Sequence, residues 1–356
     1  MIFRERFLKR IEWDNLDNIE KRAETKNGAG LFENGWIPET EEKAWKLVCD
    51  VQREYFEEYG DDSQRSQLFY CEFNDARAEL QDIAQNRLPP LSPFKIEKAL
   101  LADGIIFQNV LRMRNQPTGD CVGNGTSRAI EALLLDMRAQ KYEVLPRPIH
   151  PSYCYAGARS LSGSRRGAGA NVALAGKFVF ENGILFEDTE GVKSYDDDRR
   201  MSSRLGRYWD SREMKELIGY AAPFRVSVIR LPSRSPMTAI NLALDAGAKI
   251  VGGFRRKFVS GGDKKQGVKF ARLLGNWNHC VSILGRFNDP VDGYIWGNSH
   301  GNKYPGSCVL GTPEWATNLS PADTAAMCEG ASLYAVIFVQ FEKNTSKADW
   351  RPMPIV

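Results

Sequence analysis

The chain has 356 residues, with 48 Lys and Arg against 45 Asp and Glu, which gives a formal net charge of +3. Hydrophobic residues make up 42% of the sequence, so a sizeable core is available and a wholly disordered chain is excluded. The charge balance is too mild to indicate nucleic acid or an anionic membrane as a partner. The length fits two domains, or one large domain with an extension.

The sequence also indicates the cellular compartment of the protein. The first residues, MIFRERFLKRIEWDN, are charged throughout and lack the apolar stretch of a signal peptide. The most apolar stretch near the end, 331–341, has about half of the ~20 residues that a membrane-spanning helix needs. Seven scattered cysteines without a C-x-x-C pair fit neither a disulfide framework nor a zinc knuckle. These features predict a cytoplasmic protein with reduced thiols, no metal and no cofactor; a virion location stays open.

Residues 1–110 are predicted to form a helical extension. Apolar residues recur at helical spacing in 39–60, and a second helical pattern covers 76–85. A further short helix is predicted over 95–101. The extension carries no recognisable chemistry, and two roles stay open for it: covering a cleft, or docking an assembly partner.

The next segment contains a predicted buried helix that Cys121 opens. Its apolar residues share one face, while Gly123 and Gly125 are poor helix formers and indicate a close approach of backbone. Within the polar segment 165–217, the only predicted helix covers 171–182. The charged run 194–213 is predicted to be an exposed excursion.

From residue 223 the sequence changes to strand patterns. A helix is predicted over 236–247, and strands are predicted within 224–231, 248–254, 278–287, 292–301 and 331–341. Helices followed by antiparallel strands indicate an α+β class. The predicted divisions are the extension at 1–110, a helical half at 111–222, a β-rich half at 223–345 and a C-terminal tail at 346–356.

Cys121, His279 and Asn298 have the side chains that catalysis by a cysteine nucleophile requires. A helix N-terminus stabilises the thiolate of Cys121, and the imidazolium of His279 can pair with that thiolate and protonate the leaving group. Asn298, at the end of the next strand, can orient the imidazole. Gln116 or Asn115 is the expected oxyanion-hole donor beside the backbone N–H of Cys121.

These residues lie in three segments, QPTGDCVGNGTSRAIEALL, NHCVSILGRF and GYIWGNSHG, which resemble the signature regions of papain-like cysteine peptidases. The resemblance covers residues 111–341. It implies a two-part fold in which a central helix packs against an antiparallel, β-barrel-like sheet. It also implies a Cys121–His279–Asn298 triad that cleaves peptide or amide bonds of a polypeptide substrate through an acyl-enzyme.

The chain departs from that family at several positions. Val122 stands where the family has an aromatic residue, and His300 replaces the loop Trp, which leaves the aromatic lid over the His–Asn pair in question. His300 is also a candidate substitute base, but the preferred interpretation is a loop residue exposed at the surface. Gln116 lies five residues before Cys121 and Asn115 lies six before it, where the family has six, so both stay candidates.

Two further features of the sequence are given structural rather than functional interpretations. Cys280 is predicted to be a core residue, because it should point to the strand face opposite His279. Arg255, Arg256 and Lys257 are predicted to be a solvated basic cluster rather than a nucleic-acid site.

Two other functions stay open. The first alternative is a weakly active or inactive structural protein with a papain-like fold, such as a virion or assembly component, that docks a protein partner through residues 1–110. The second alternative is a hydrolase of peptidoglycan amide bonds, although the N-S-H-G loop favours the papain-like group over such amidases. Neither nucleic acid nor membrane is an expected partner.

Overall fold

The structure is a computed structural model. It describes residues 42, 44–46, 48–50, 72–86, 101, 103–140, 144–163, 168–222, 226–300 and 316–338. The predicted short helix at 95–101, apart from its last residue, and the predicted tail at 346–356 lie outside these ranges.

The first part of the described chain is helical. Its helices are α1 (Phe73–Asn86), α2 (Phe107–Val110), α3 (Cys121–Ala139), α4 (Pro151–Ser162), α5 (Val172–Asn182), α6 (Met201–Arg207) and α7 (Arg212–Tyr220). The helices predicted at 76–85, at Cys121 and at 171–182 are confirmed. The interpretation of 194–213 as an exposed excursion is wrong, because Met201 and Leu205 of α6 are buried and α6 packs against α4.

The second part is dominated by strands. They are β1 (Val226–Arg230), β2 (Lys249–Val259), β3 (Lys264–Lys265), β4 (Val268–Lys269), β5 (Arg272–Phe287), β6 (Gly293–Gly297), β7 (Thr317–Leu319) and β8 (Ser332–Phe338). Two helices join them, α8 (Met237–Asp245) and α9 (Pro321–Cys328). Every predicted strand is confirmed within the described residues. The short elements β7 and α9 are not predicted from the sequence.

Six of these strands form one antiparallel sheet in the order β1–β8–β2–β5–β6–β7. Alternate residues along each strand face opposite sides, so the sheet has two apolar faces. One face, with Val251, Cys280 and Tyr334, packs against the helical half. The other, with Ile250 and Val281, packs against α1, α8 and α9. The α+β class is confirmed; in the described part of the chain the sheet is open and no closed barrel forms.

Helix α3 lies between the sheet and α4, and all but one of its residues are buried. Two glycines allow this close packing. A Cβ on Gly123 would meet the Pro151 carbonyl oxygen at 2.2 Å, and one on Gly125 would meet Cys280 Sγ at 2.7 Å. The predicted close approach is therefore present. No helix in the described part of the chain combines the length and apolar character needed to cross a membrane.

The described residues within 42–86 of the N-terminal extension pack on the β1–β8 side of the sheet, whereas Val110 at its end packs with Leu284 of β5 and Ile295 of β6. The Trp45 ring packs against that of Tyr334, tilted by 42° with ring centroids 5.2 Å apart, and its indole donates to Glu72 at 2.7 Å. Glu72 also accepts from Arg230 of β1 at 3.1 Å. The sheet order places this contact at the edge away from β5 and β6.

Candidate active site

Cys121 is the first residue of α3 and lies at the interface with the sheet. The backbone N–H of Cys280 donates to its Sγ at 3.3 Å. The sulfur thus lies against the residue that follows His279 on β5. The N-terminus of a 19-residue helix and a backbone N–H both stabilise negative charge at this sulfur.

His279 and Asn298 are brought together by the pairing of β5 with β6. The His279 Nε2 lies 2.9 Å from the Asn298 Oδ1, and both side chains are buried. An amide oxygen accepts only, so Nε2 carries the proton in this pair. The Ser299 backbone N–H donates to the same Oδ1 at 2.7 Å, which fixes the amide orientation.

Two aromatic rings flank the His279 imidazole. The Trp277 ring lies with its centroid 4.5 Å from that of His279 at an interplanar angle of 53°. The His300 ring stacks on the same imidazole at 4.5 Å and 21°. The prediction that His300 is an exposed loop residue is wrong: the residue is only 3% exposed, because its ring stacks on His279 and its backbone forms a bridge with Asn115.

The two candidate oxyanion donors differ in placement. Gln116 is buried, its backbone N–H donates to the Ser299 carbonyl at 2.8 Å, and its Oε1 accepts from the Ser299 hydroxyl. Its Nε2 donates to the Thr118 carbonyl at 3.0 Å. Asn115 is exposed. Gln116 is thus fixed against the residue next to Asn298, whereas Asn115 faces solvent.

A buried ion network holds the chain segment that carries Gln116. Arg114 donates to the carboxylates of Glu131 at 2.6 Å and Glu187 at 2.6 Å, and to the Ile149 carbonyl at 2.9 Å. Burial alone lowers the pKa of Arg114, but the two carboxylates reverse this and hold it above its usual range. Because Glu131 lies on α3, these ion pairs connect the segment that carries Arg114 and Gln116 to the helix that begins at Cys121.

Sequence reasoning missed a second polar cluster directly before the cysteine. The carboxylate of Asp120 is fully buried and accepts from the Ser202 hydroxyl at 2.5 Å and the Tyr195 hydroxyl at 2.9 Å. Asn124 Nδ2 lies 3.4 Å from the other carboxylate oxygen. Burial raises the pKa of Asp120 to about 6, against the opposing effect of these hydrogen bonds. Tyr195, among charged residues in 194–213, was the available signal of a packed segment.

Other described cysteines behave as core residues. Burial raises the pKa of the Cys154 thiol to about 12 and raises that of Cys328 as well. Cys280 belongs to the apolar cluster that contains Cys121, as predicted. Among the described residues, no three His, Cys, Asp or Glu side chains are arranged to hold a metal ion.

No protein-family model and no curated protein matches the chain. Among solved structures, it is similar to xylellain, a cysteine protease from Xylella fastidiosa, at 15% identity over 73% of this chain and 89% of that one, with a TM-score of 0.45. It is similar to digestive procathepsin L 3 of Tenebrio molitor larval midgut at 14% identity over 95% of this chain and 100% of that one, with a TM-score of 0.44. It is similar to procathepsin B S9 from Trypanosoma congolense at 12% identity over 72% of this chain and 80% of that one, with a TM-score of 0.41. Such distant likenesses assign no activity to this chain.

Proposed function

We propose that the chain is a papain-like thiol hydrolase that cleaves peptide bonds with Cys121, His279 and Asn298. One pair of contacts carries the proposal. Asn298 holds the His279 ring at 2.9 Å, and the neighbouring backbone N–H of Cys280 contacts the Cys121 sulfur at 3.3 Å. These two contacts support the assignment of Cys121 as nucleophile, His279 as proton carrier and Asn298 as orienting amide.

The chemistry follows from the proton positions. With Nε2–H donating to Asn298, the lone pair of His279 Nδ1 takes the proton of the Cys121 thiol, which gives a thiolate and an imidazolium. The thiolate attacks the substrate carbonyl carbon, a C–S bond forms, and the carbonyl electrons move onto oxygen. The backbone N–H of Cys121 and the amide of Gln116 stabilise that oxyanion.

The second half of the cycle releases both products. When the tetrahedral intermediate collapses, the C–N bond breaks and the imidazolium protonates the leaving amine. A water molecule then loses a proton to His279 Nδ1 and attacks the thioester carbonyl. Collapse breaks the C–S bond, releases the acid product and returns the Cys121 thiolate beside the imidazolium.

One observation favours a second candidate, an inactive structural or assembly protein on the same scaffold. Both Cys121 and His279 are 0% exposed, so in this conformation the sulfur presents no surface to a substrate. The peptidoglycan amide hydrolase has no corresponding observation in its favour.

Digestion of a denatured whole-proteome peptide library, followed by mass spectrometry of new termini, tests the proposal. The wild type and Cys154→Ala, which removes another buried thiol, are expected to cleave, whereas Cys121→Ala and His279→Ala are not. Purified murein serves as a second substrate. Release of murein peptides without cleavage of the library would replace the peptidase by an amidase. Cleavage of neither substrate would leave the structural role.

A further inference from the structure

The positive charge of the chain is concentrated in one hairpin. Residues 255–272, here called the basic hairpin, contain seven of the 48 Lys and Arg and one of the 45 Asp and Glu. The hairpin therefore has a formal charge of +6, and the rest of the chain has a formal charge of −3 against +3 for the whole. The mild overall charge thus conceals a strongly basic segment.

The basic hairpin continues the two strands that carry the candidate site. In the pairing of β2 with β5, Phe254 lies opposite His279, Arg256 opposite Asn276, and Val259 opposite Arg272. At about 3.4 Å per residue along β2, Arg256 lies about 7 Å from the level of His279, and Arg272, opposite Val259, lies about 17 Å from it. The basic tract therefore begins beside the imidazole and extends away from it.

Six of the seven cations of the basic hairpin are exposed to solvent and have no acidic partner among the described residues. The exposed ones are Arg255, Arg256, Lys264, Lys265, Lys269 and Arg272. None of the six forms an ion pair with a described residue, whereas surface arginines elsewhere do: Arg286 pairs with Asp245, and Arg204 pairs with Asp198 and Glu213. Six like charges on one hairpin repel one another, and an acidic ligand relieves that repulsion.

The aromatic residues of this region favour a polypeptide over nucleic acid as the ligand. Proteins that bind single strands interleave their cations with exposed aromatic rings on which bases stack. Here Phe254, Phe258, Phe270 and Trp277 are all buried in the cores. Cations without a stacking surface suit carboxylate side chains on an extended peptide that also reaches His279.

We propose that the basic hairpin binds an acidic stretch of the polypeptide substrate next to the scissile bond, so that acidic polypeptides are the substrate class. This inference rests on the proposed peptidase function, but the binding step is measurable without catalysis. Cys121→Ala keeps the hairpin intact and removes cleavage.

The test is fluorescence anisotropy of Cys121→Ala with two labelled 20-residue peptides, one containing a run of Asp and Glu and the other its Asn and Gln counterpart. The hairpin variant adds Arg255→Gln, Arg256→Gln, Lys264→Gln and Lys265→Gln. A matched control removes four exposed cations of the helical half instead, by Arg199→Gln, Arg200→Gln, Arg207→Gln and Lys215→Gln.

The acidic peptide is expected to bind at least about tenfold more tightly than the neutral one, with affinity that falls as salt rises. The affinity for the acidic peptide should fall about tenfold in the hairpin variant and less than twofold in the control variant. Equal losses in the two variants would reduce the effect to net charge and overturn the proposal. Tighter hairpin-dependent binding of a single-stranded DNA 20-mer at the same salt would overturn it in favour of nucleic acid.

Two failures are distinguishable in this design. If wild type cleaves the proteome library but acidic and neutral peptides bind Cys121→Ala alike, the proposed function stands and the substrate class is wrong. If hairpin-dependent acidic binding is present while wild type cleaves nothing, the hairpin is a docking surface of a structural protein and the peptidase proposal fails.

Discussion

The imidazole of His300 stacks on that of His279, with ring centroids 4.5 Å apart and planes at 21°. Trp277 lies against the same ring at 4.5 Å, and Asn298 accepts from its Nε2. Two rings and one hydrogen bond thus restrict rotation of the His279 side chain. His300 therefore supplies an aromatic ring against His279 from the loop that follows Asn298.

This stacking makes His300 a positioning residue with a measurable effect. His300→Ala should free the His279 ring and slow alkylation of Cys121 by iodoacetamide about fivefold, because a flat partner worth about 1 kcal/mol is lost. His300→Phe keeps a ring and should stay within about threefold of wild type. Equal rates in wild type and His300→Ala would show that the stack has no positioning role.

The Asn298 amide should matter more than either ring. Asn298→Ala removes the 2.9 Å acceptor of His279 Nε2–H. Hydrogen bonds to charged groups contribute about 1.5–3 kcal/mol, so the alkylation rate of Cys121 should fall about 10- to 100-fold. Thermal unfolding provides the control, since a rate loss without a matching loss of folded protein is specific to the site. A variant that alkylates like wild type would remove Asn298 from the triad.

The buried Asp120 should make stability depend on pH. Its pKa is raised to about 6 in the folded chain from 3.8, because burial disfavours the charged form. The folded state therefore binds more protons between about pH 4 and 6, and the stabilising contribution present below pH 4 is lost as pH rises through 6. The shift of about two pKa units corresponds to about 3 kcal/mol.

Asp120→Asn keeps an amide oxygen that accepts from Ser202 or Tyr195 but cannot ionise. Urea unfolding at pH 4.5 and 7 should show that the substitution adds more stability at pH 7 than at pH 4.5. The same difference at both pH values would mean that Asp120 does not titrate in this range.

The packing of α3 on β5 predicts an asymmetric effect of two identical substitutions. Gly125→Ala places a Cβ 2.7 Å from Cys280 Sγ, next to the backbone that contacts Cys121. It should cost about 1–3 kcal/mol in the free energy of unfolding. Gly219→Ala on α7 meets nothing within 4 Å and should be neutral or slightly stabilising. Urea unfolding of both variants checks this, and equal effects would contradict the close helix–strand contact.

The sequence predicts the elements whose pattern is local. The helix at Cys121 follows from apolar periodicity, and its glycines predict the close approach that Pro151 and Cys280 provide. The strands of His279 and Asn298 likewise show the alternation and β-branched content of a sheet. The proximity of those two residues follows from adjacent strands, β5 and β6.

Contacts between distant segments were not predictable in this way. Tyr195 and Ser202 reach Asp120 from 75 and 82 residues away, and their dense charged surroundings resemble a solvated loop. His300 is buried because its ring stacks on that of His279 and its backbone pairs with Asn115. A loop sequence does not encode such tertiary contacts by period or composition. Packing partners decide burial in both cases.

The central claim is that Cys121 is held as a thiolate by His279. Alkylation by iodoacetamide at pH 5.5, followed by peptide mass spectrometry, tests it directly, because an ordinary thiol is only about 0.1% thiolate at that pH. Buried Cys154, whose pKa is raised to about 12, is the internal reference. We expect Cys121 to be labelled at least about tenfold faster than Cys154, and we expect His279→Ala to lose this excess. Labelling of Cys121 at the same rate in wild type and His279→Ala would contradict it.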